Sequence, residues 1–500
     1  MTASDWIQRG VSLLRTGTAD EKAAAAAPAA ARKGGEDTRA PRTLAERMEA
    51  TLRRHGEALP PRALRKALED MRAVIDPRVS EVEGGRRASA LAQEYAGLSP
   101  DERRDWWLLI CECFAPDARR LQAAREQFEA AQPGSPEYAQ AEVKLRRALL
   151  SPRARLLQRF SMAAEGMRFL IELRAELLPE VKKDRRLSVL DAELEQLFST
   201  WFDVAFLELQ RISWDSPASL IEKLIQYEAV HDIKSWSDVK NRLDERDRRC
   251  YGFFHPRLPG VPLIFVEVAL TEAVSDSITP LLDEQASADA RKADTAIFYS
   301  ISNTQTGLRG VSFGDSLIKR VVETLREEFP KLKTFATLSP IPGLRGWLSQ
   351  NAQPLLDRLP ERQAQALGRL LGAMPPTAQR LIAALDEAQA LGPKSPLRQW
   401  LMQAAAEYLG RGLREGKPID AVARFHLGNG ARVERLNWAA DPSAKGQRQS
   451  WGLMVNYLYD LKRLDKHRAL LAQGKVPVSG DVEGLFLKAA AAGPRETGAA

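Results

Sequence analysis

Cysteine is scarce in this chain, with Cys111, Cys113 and Cys250 the three present in 500 residues. Three thiols build no disulfide framework, and Cys-Glu-Cys followed by one distant cysteine lacks the spacing of zinc ligands. The expected setting is therefore reducing and cytoplasmic, with Cys111 and Cys113 read as small helix residues beside Trp106 and Trp107. No apolar run approaches the ~18 residues a membrane-crossing helix needs, so no membrane partner is expected. The N-terminal stretch "MTASDWIQRGVSLLR" has no long apolar segment of the secretory kind. It is weakly amphipathic, which keeps organelle import as an alternative. Long Lys/Arg blocks are missing too: 73 basic and 66 acidic side chains are interspersed, for a net charge of +7. That balance suits a nucleotide-sized anion better than a nucleic acid, and no nucleic-acid partner is expected.

What is present is ordinary globular material, 44% hydrophobic and 28% charged, enough for two or three cores at ~150 residues each. Residues 1–42 join an alanine tract to Pro, Gly and mixed charges and read as a disordered tail. From Thr43 to Arg211 apolar residues recur at three and four, in "TLAERMEATLRRHGEAL", "SPDERRDWWLLICECF", "SPEYAQAEVKLRRALL" and "LSVLDAELEQLFSTWFDVAFLELQRI". Ser99-Pro100 and Ser135-Pro136 place a capping residue before a first-turn proline. This half is an all-helical bundle. It holds one histidine, His55, and its expected role is scaffolding and self-association, as a dimer or tetramer.

Beyond residue 212 the period changes. "RRCYGFFHP" and "VPLIFVEVAL" read as two strands joined at "RLPG", followed by a helix from Ala273 to Glu284 and a third strand, "TAIFYSIS". The amphipathic "FGDSLIKRVVETLREEF" then leads to "TFATLS", a strand that stops at Ser339 because Pro340 and Pro342 supply no ladder N–H. Strand, helix, strand makes a βαβ unit, with Ser302 and Ser339 on the ligand-binding edge of the sheet. A helical insertion occupies about 348–420, a strand resumes in "GARVERLNWAA", and a final helix contains "WGLMVNYLYDL". The expected fold is an N-terminal helical bundle followed by a mixed α/β domain over 212–490 that carries the insertion.

Two stretches invite chemistry. The loop "NTQTGLRGVSFGDS" carries Gly307, Gly310 and Gly314 ahead of a helix N-terminus, where free N–H groups and the helix dipole hold phosphate oxygens. Ser339 sits on a stiff ledge between a strand and Pro-Ile-Pro. Of the five histidines, His55 and His467 lie in charged helical surroundings and read as surface residues. His231 and His255 are less easily set aside. His426 precedes "LGNG" and a strand, where a loop aims it at the sheet edge. Ser302, Ser312 and Ser316 lack the Gly-x-Ser-x-Gly context of a nucleophile elbow. No metal-ligand cluster and no biotinyl-lysine signature is visible.

The glycine loop partly resembles the Gln/Arg-x-x-Gly-x-Gly/Ala pyrophosphate loop of GNAT-fold acyltransferases. Gln305 and Gly310 match its ends, as do Arg309 and Gly314, but the inner glycine is Leu308 or Ser312. "HPRLPGVPLIFVEVALT", "IFYSISNTQTGLRGVSFGDSLIKRVV", "LSPIPG", "ARFHLGNGARVERLNWAAD" and "WGLMVNYLYDL", in that order from Ser213 to Asp460, resemble the malonyl-CoA decarboxylase family. The resemblance implies a helical oligomerisation domain, a GNAT-like catalytic domain, and conversion of malonyl-CoA to acetyl-CoA and CO2 without a cofactor, CoA being part of the substrate. It also implies Ser339 and His426 as a catalytic pair, Tyr459 close to them, and Arg309, Gly310, Val311, Ser312, Phe313, Gly314 and Asp315 as the CoA-binding loop. A GNAT-fold N-acyltransferase and a non-catalytic CoA sensor stand as alternatives. The chain ends in "RETGAA" where animal members of the family can end in Ser-Lys-Leu, and its Ala/Arg-rich composition points to a bacterial cytoplasmic protein.

Overall fold

The structure, a computed structural model of the chain, describes residues 58–283, 289–311, 317–387 and 391–487. The tail expected over 1–42, His55, and Ser312, Phe313, Gly314 and Asp315 lie outside the described residues. By internal contacts the chain divides into two compact units. One comprises the residues up to Trp201 with Gln305–Val311, the other Phe202–Thr304 and the residues from Ser312 onward.

The first unit is helical: α1 (Pro61–Val74), α2 (Glu81–Ala96), α3 (Pro100–Cys113), α4 (Ala118–Ala130), α5 (Pro136–Leu149), α6 (Pro152–Met162), α7 (Gly166–Val181) and α8 (Ser188–Trp201). Ser99 and Ser135 accept the N–H groups of Glu102 and Tyr138, and Glu102 closes a capping box. Trp106, Trp107, Phe160, Leu170, Leu194 and Phe198 fill the core. Its polar corner is paired, Trp107 Nε1 donating to Tyr95 Oη at 3.0 Å and that hydroxyl to Glu176 at 2.7 Å. The helix expected to run to Ile212 stops at Trp201, and Glu208–Ile212 is a strand. "LELQRI" alternates in polarity, and pairing with a neighbouring strand overrides a helical continuation.

The second unit is built on β1 (Glu208–Ile212), α9 (Ala218–Tyr227), α10 (Trp236–Arg242), β2 (Arg248–Phe254), β3 (Pro262–Thr271), α11 (Thr279–Leu282), β4 (Thr295–Asn303), α12 (Leu317–Glu328), β5 (Thr334–Thr337) and β6 (Ser339–Pro340). The insertion follows as α13 (Leu344–Leu356), α14 (Glu361–Leu371), α15 (Ala378–Glu387), α16 (Pro396–Arg411) and the small hairpin β7 (Leu413–Arg414) and β8 (Lys417–Pro418). The chain closes with α17 (Ala421–Gly428), β9 (Arg432–Asn437), α18 (Ala444–Ser450), β10 (Met454–Leu458), α19 (Leu464–Ala472) and α20 (Gly480–Leu485). The expected class, helical bundle plus mixed sheet domain, is the one observed.

Eight strands form one sheet in the order β1-β2-β3-β4-β5-β10, with β6 and β9 also paired to β10. Among the described strands only β4 and β5 run parallel. Their pairing ends at Phe298 opposite Thr337, while β4 continues beside β3 to Asn303. The hydrogen-bond ladder between β4 and β5 therefore parts there, leaving a slot in the pairing at their carboxyl ends.

Three local expectations change. The final helix through "WGLMVNYLYDL" is strand β10. Met454–Tyr457 is buried on both faces, and a continuous apolar run does not distinguish a central strand from a buried helix. The helix expected over 273–284 shrinks to Thr279–Leu282 among the described residues. Partners elsewhere take the backbone groups a longer helix would use: Ala440 O accepts the Ile278 N–H, and Asn456 Nδ2 donates to Ser275 O. Pro340 does not end the strand pairing, since it faces Met454 in register.

Candidate active site

The site is made where β5, β6 and β10 meet α17. Ala336 opposite Leu458 and Ser339 opposite Val455 share one register, but the ladder between them is interrupted. There the Tyr457 N–H turns to Thr337 Oγ1 at 3.1 Å, and Asn456 Nδ2 reaches Thr337 O at 2.7 Å in place of a backbone donor. This break lets Ser339 Oγ reach Thr337 Oγ1 at 2.8 Å and His426 Nε2 at 3.2 Å.

His426 lies in the last turn of α17, not in the loop expected from its sequence context. Its ring stacks on Tyr457, centroids 4.7 Å apart and planes 26° off parallel, and its Nδ1 is 2.7 Å from Tyr459 Oη. Ser339, His426 and Tyr459 are thus brought together, and all three are buried. Burial pushes the His426 imidazole down to about 3, so the ring is neutral at pH 7. The same desolvation raises Tyr459 above the ordinary phenol range and keeps its proton on.

Asp420 holds the two halves of this arrangement in place. Its Oδ1 caps α17 by accepting the N–H groups of Val422 and Ala423, and its Oδ2 accepts from Gly343 N and Tyr408 Oη. The helix that carries His426 and the turn that follows Ser339 are thereby tied to one buried carboxylate. A Cβ on Gly343 would fall 2.1 Å from the Tyr408 hydroxyl, so this turn passes too close for any side chain. Thr337 and Asp420 are residues of this arrangement that sequence reasoning missed. "TLS" placed a second hydroxyl on the Ser339 face at strand spacing, and "IDAV" is a helix-start signal.

Of the expected CoA loop, Arg309, Gly310 and Val311 are described, and all belong by contact to the helical unit. Arg174 of α7, 1% exposed, donates to the carbonyls of Gly307 at 2.8 Å and Arg309 at 3.0 Å, and pairs with Asp191 and Glu195. Gly307 is required here, since its Cβ would lie 1.9 Å from Ile171 O, and Gly310 takes φ +84°. Ser302 serves another centre: with Ser300 and two backbone N–H groups it binds the Glu228 carboxylate. His255 accepts the Arg257 N–H, and burial takes His231 down to about 4. His467 is not a surface residue; it is buried and its Nδ1 donates to Gly430 O at 2.9 Å. Among the described residues no group of three or more His, Cys, Asp or Glu side chains could hold a metal ion, and no helix is long and apolar enough to cross a membrane.

Comparison with known proteins agrees with this architecture. The malonyl-CoA decarboxylase C-terminal domain profile matches residues 205–496 and its N-terminal counterpart residues 114–202. The chain is 36% identical to the mitochondrial malonyl-CoA decarboxylase of Anser anser anser over 75% of its length and 78% of the relative's. It is 38% identical to the mitochondrial malonyl-CoA decarboxylase of Mus musculus over 65% of its length and 68% of the relative's. The crystal structure of malonyl-CoA decarboxylase from Rhodopseudomonas palustris superposes with TM-score 0.73 and 39% identity, covering 84% of this chain and 99% of that one. The Cupriavidus metallidurans malonyl-CoA decarboxylase superposes with TM-score 0.68 and 42% identity, covering 85% and 100%. The cytoplasmic location expected from composition is corrected by these relatives: the goose, mouse and rat proteins are all named as mitochondrial. Sparse cysteine is equally compatible with the reducing interior of an organelle. On matched domains, identity and superposed structure together, the chain belongs to the malonyl-CoA decarboxylase family.

Proposed function

We propose that this decarboxylase converts malonyl-CoA to acetyl-CoA and CO2 at Ser339, His426 and Tyr459. The carrying observation is the 3.2 Å contact between Ser339 Oγ and His426 Nε2, made across 87 residues of sequence in a buried site. Loss of CO2 leaves an enolate, so the barrier depends on a donor at the developing oxyanion and on one proton delivered to carbon. Ser339 hydrogen-bonds the acyl group from its proline-bracketed position and hands a proton to carbon, and His426 supplies that proton through its Nε2 contact with Ser339.

A neutral imidazole that gives up its Nε2 proton must take another at Nδ1, and the Tyr459 phenol 2.7 Å away is placed to give it. The thioester carbonyl is itself the electron sink, so the chemistry requires no metal or organic cofactor. In this reading the pantetheine arm enters the slot between β4 and β5, where the β4 edge beyond Phe298 is free of a strand partner on that side. Residues Arg309 to Asp315 are assigned the pyrophosphate on the family resemblance of their sequence alone. Exposed Val143, Leu149 and Leu150 favour the helical unit for self-association as a dimer or tetramer, which light scattering of the full chain tests.

Ser339→Ala and His426→Asn, assayed separately for CO2 release from malonyl-CoA without added amine, are each expected to lower kcat by about 10²-fold or more. If both variants keep the parental rate, the pair is wrong while the family assignment stands.

A further inference from the structure

Thr337 occupies a fully buried strand position, where a β-branched side chain packs well and a hydroxyl is costly unless partnered. Valine would fill nearly the same space. The hydroxyl is engaged twice: Thr337 Oγ1 accepts the Tyr457 N–H at 3.1 Å and the Ser339 hydroxyl at 2.8 Å. Ser339 has one hydrogen to give. With that hydrogen on Thr337, the contact to His426 Nε2 needs its hydrogen on nitrogen. A neutral ring carries one N–H, so Nδ1 is bare and accepts the Tyr459 hydroxyl, which has no other partner among the described residues.

We propose that Thr337 is a positioning residue for the decarboxylation. It is the terminal acceptor of a one-way chain, Tyr459 to His426 to Ser339 to Thr337, and it keeps His426 in the Nε2–H tautomer with the Ser339 hydrogen off the ring. The proposal rests on the reading of Ser339 and His426 as the reacting pair.

When the acyl group arrives, the Ser339 hydroxyl turns from Thr337 to the substrate, and Thr337 Oγ1 keeps the Tyr457 N–H. The carbon–carbon bond breaks to release CO2 and leave the enolate pair. The Ser339 proton then forms the new C–H bond, the Nε2 proton moves to Ser339 Oγ, and the Tyr459 proton moves to Nδ1. Once the product has left, a proton from water reaches Nε2 as the Nδ1 proton returns to the Tyr459 phenolate, so the Nε2–H ring is restored and one proton is consumed per turnover. Without the Thr337 acceptor, the Ser339 hydrogen turns to Nε2 and the ring adopts the Nδ1–H form. No proton then lies between His426 and Ser339 to be passed forward.

The test uses the full chain and the variants Thr337→Val and Thr337→Ser. Thr337→Val is expected to lower kcat on the order of 10- to 100-fold with KM for malonyl-CoA unchanged, and Thr337→Ser to restore most of the loss. Nitrogen NMR of histidine-labelled protein, with the His426 signals identified by their absence in His426→Asn, reads the tautomer without substrate. Nε2–H is expected in the parent and in Thr337→Ser, and Nδ1–H in Thr337→Val. A parent in the Nδ1–H form overturns the proposal, as does a Thr337→Val protein with parental tautomer or parental kcat. If Thr337→Val does not fold, the parent tautomer and the Thr337→Ser rate decide. Loss of the reacting-pair reading would show instead as parental turnover in Ser339→Ala, a result independent of the tautomer.

Discussion

His426 owes its chemistry to surroundings more than to its own basicity. An exposed imidazole titrates near pH 6.5, but here burial takes it to about 3, and the neutral ring lies between two hydroxyls. The proposed proton path then needs Tyr459 as well as Ser339. Tyr459→Phe keeps the ring packed near Phe298, at 6.4 Å, and removes only the oxygen that faces Nδ1. Turnover measured as CO2 release is expected to fall on the order of 10- to 100-fold with little change in KM. A parental rate would mean that water supplies Nδ1 directly.

Elements meet at Asp420, which caps the helix bearing His426 and binds the turn after Ser339. Asp420→Ala removes the cap, worth about 0.5–2 kcal/mol, and also strands the Gly343 N–H. Thermal unfolding should show a lower Tm, and kcat should fall because α17 and β6 lose their common tether. At Gly343 the obstacle is one atom, the Tyr408 hydroxyl 2.1 Å from where an alanine methyl would sit. Gly343→Ala is therefore expected to destabilise the chain and depress turnover, and Tyr408→Phe combined with it to recover part of both. Failure of the double variant to recover would locate the strain elsewhere. The strand-helix-strand core was legible in sequence because β4, α12 and β5 each carry a clear period. β10 was not, since Val455, Asn456 and Tyr457 are buried on both faces and present no alternation.

Across the whole molecule, buried neutral histidines make stability depend on acid. The folded-state values of His426 and His231, about 3 and about 4, lie below the unfolded value near 6.5. Between those limits the unfolded chain binds more protons, so each ring contributes stability that is complete above pH 6.5 and is lost as pH falls toward 4, at up to about 1.4 kcal/mol per unit. His426→Asn removes one such contribution. Chemical denaturation at pH 7 and pH 4.5 should show a smaller loss for the variant than for the parent, and equal losses would mean that the ring is not buried in solution.

From residues alone came the two-part organisation, the parallel β4–β5 pair, and, through motif resemblance, Ser339, His426 and Tyr459 as a group. Those are properties of local period and of short motifs, which neighbouring residues determine. Folding decided the remainder: that "NYL" is a strand, that His426 ends a helix, that its ring is neutral, and that Thr337 and Asp420 hold the pair. Charge state and hydrogen-bond direction depend on which groups exclude water from one another, and for Ser339 and His426 those groups come from segments 87 residues apart.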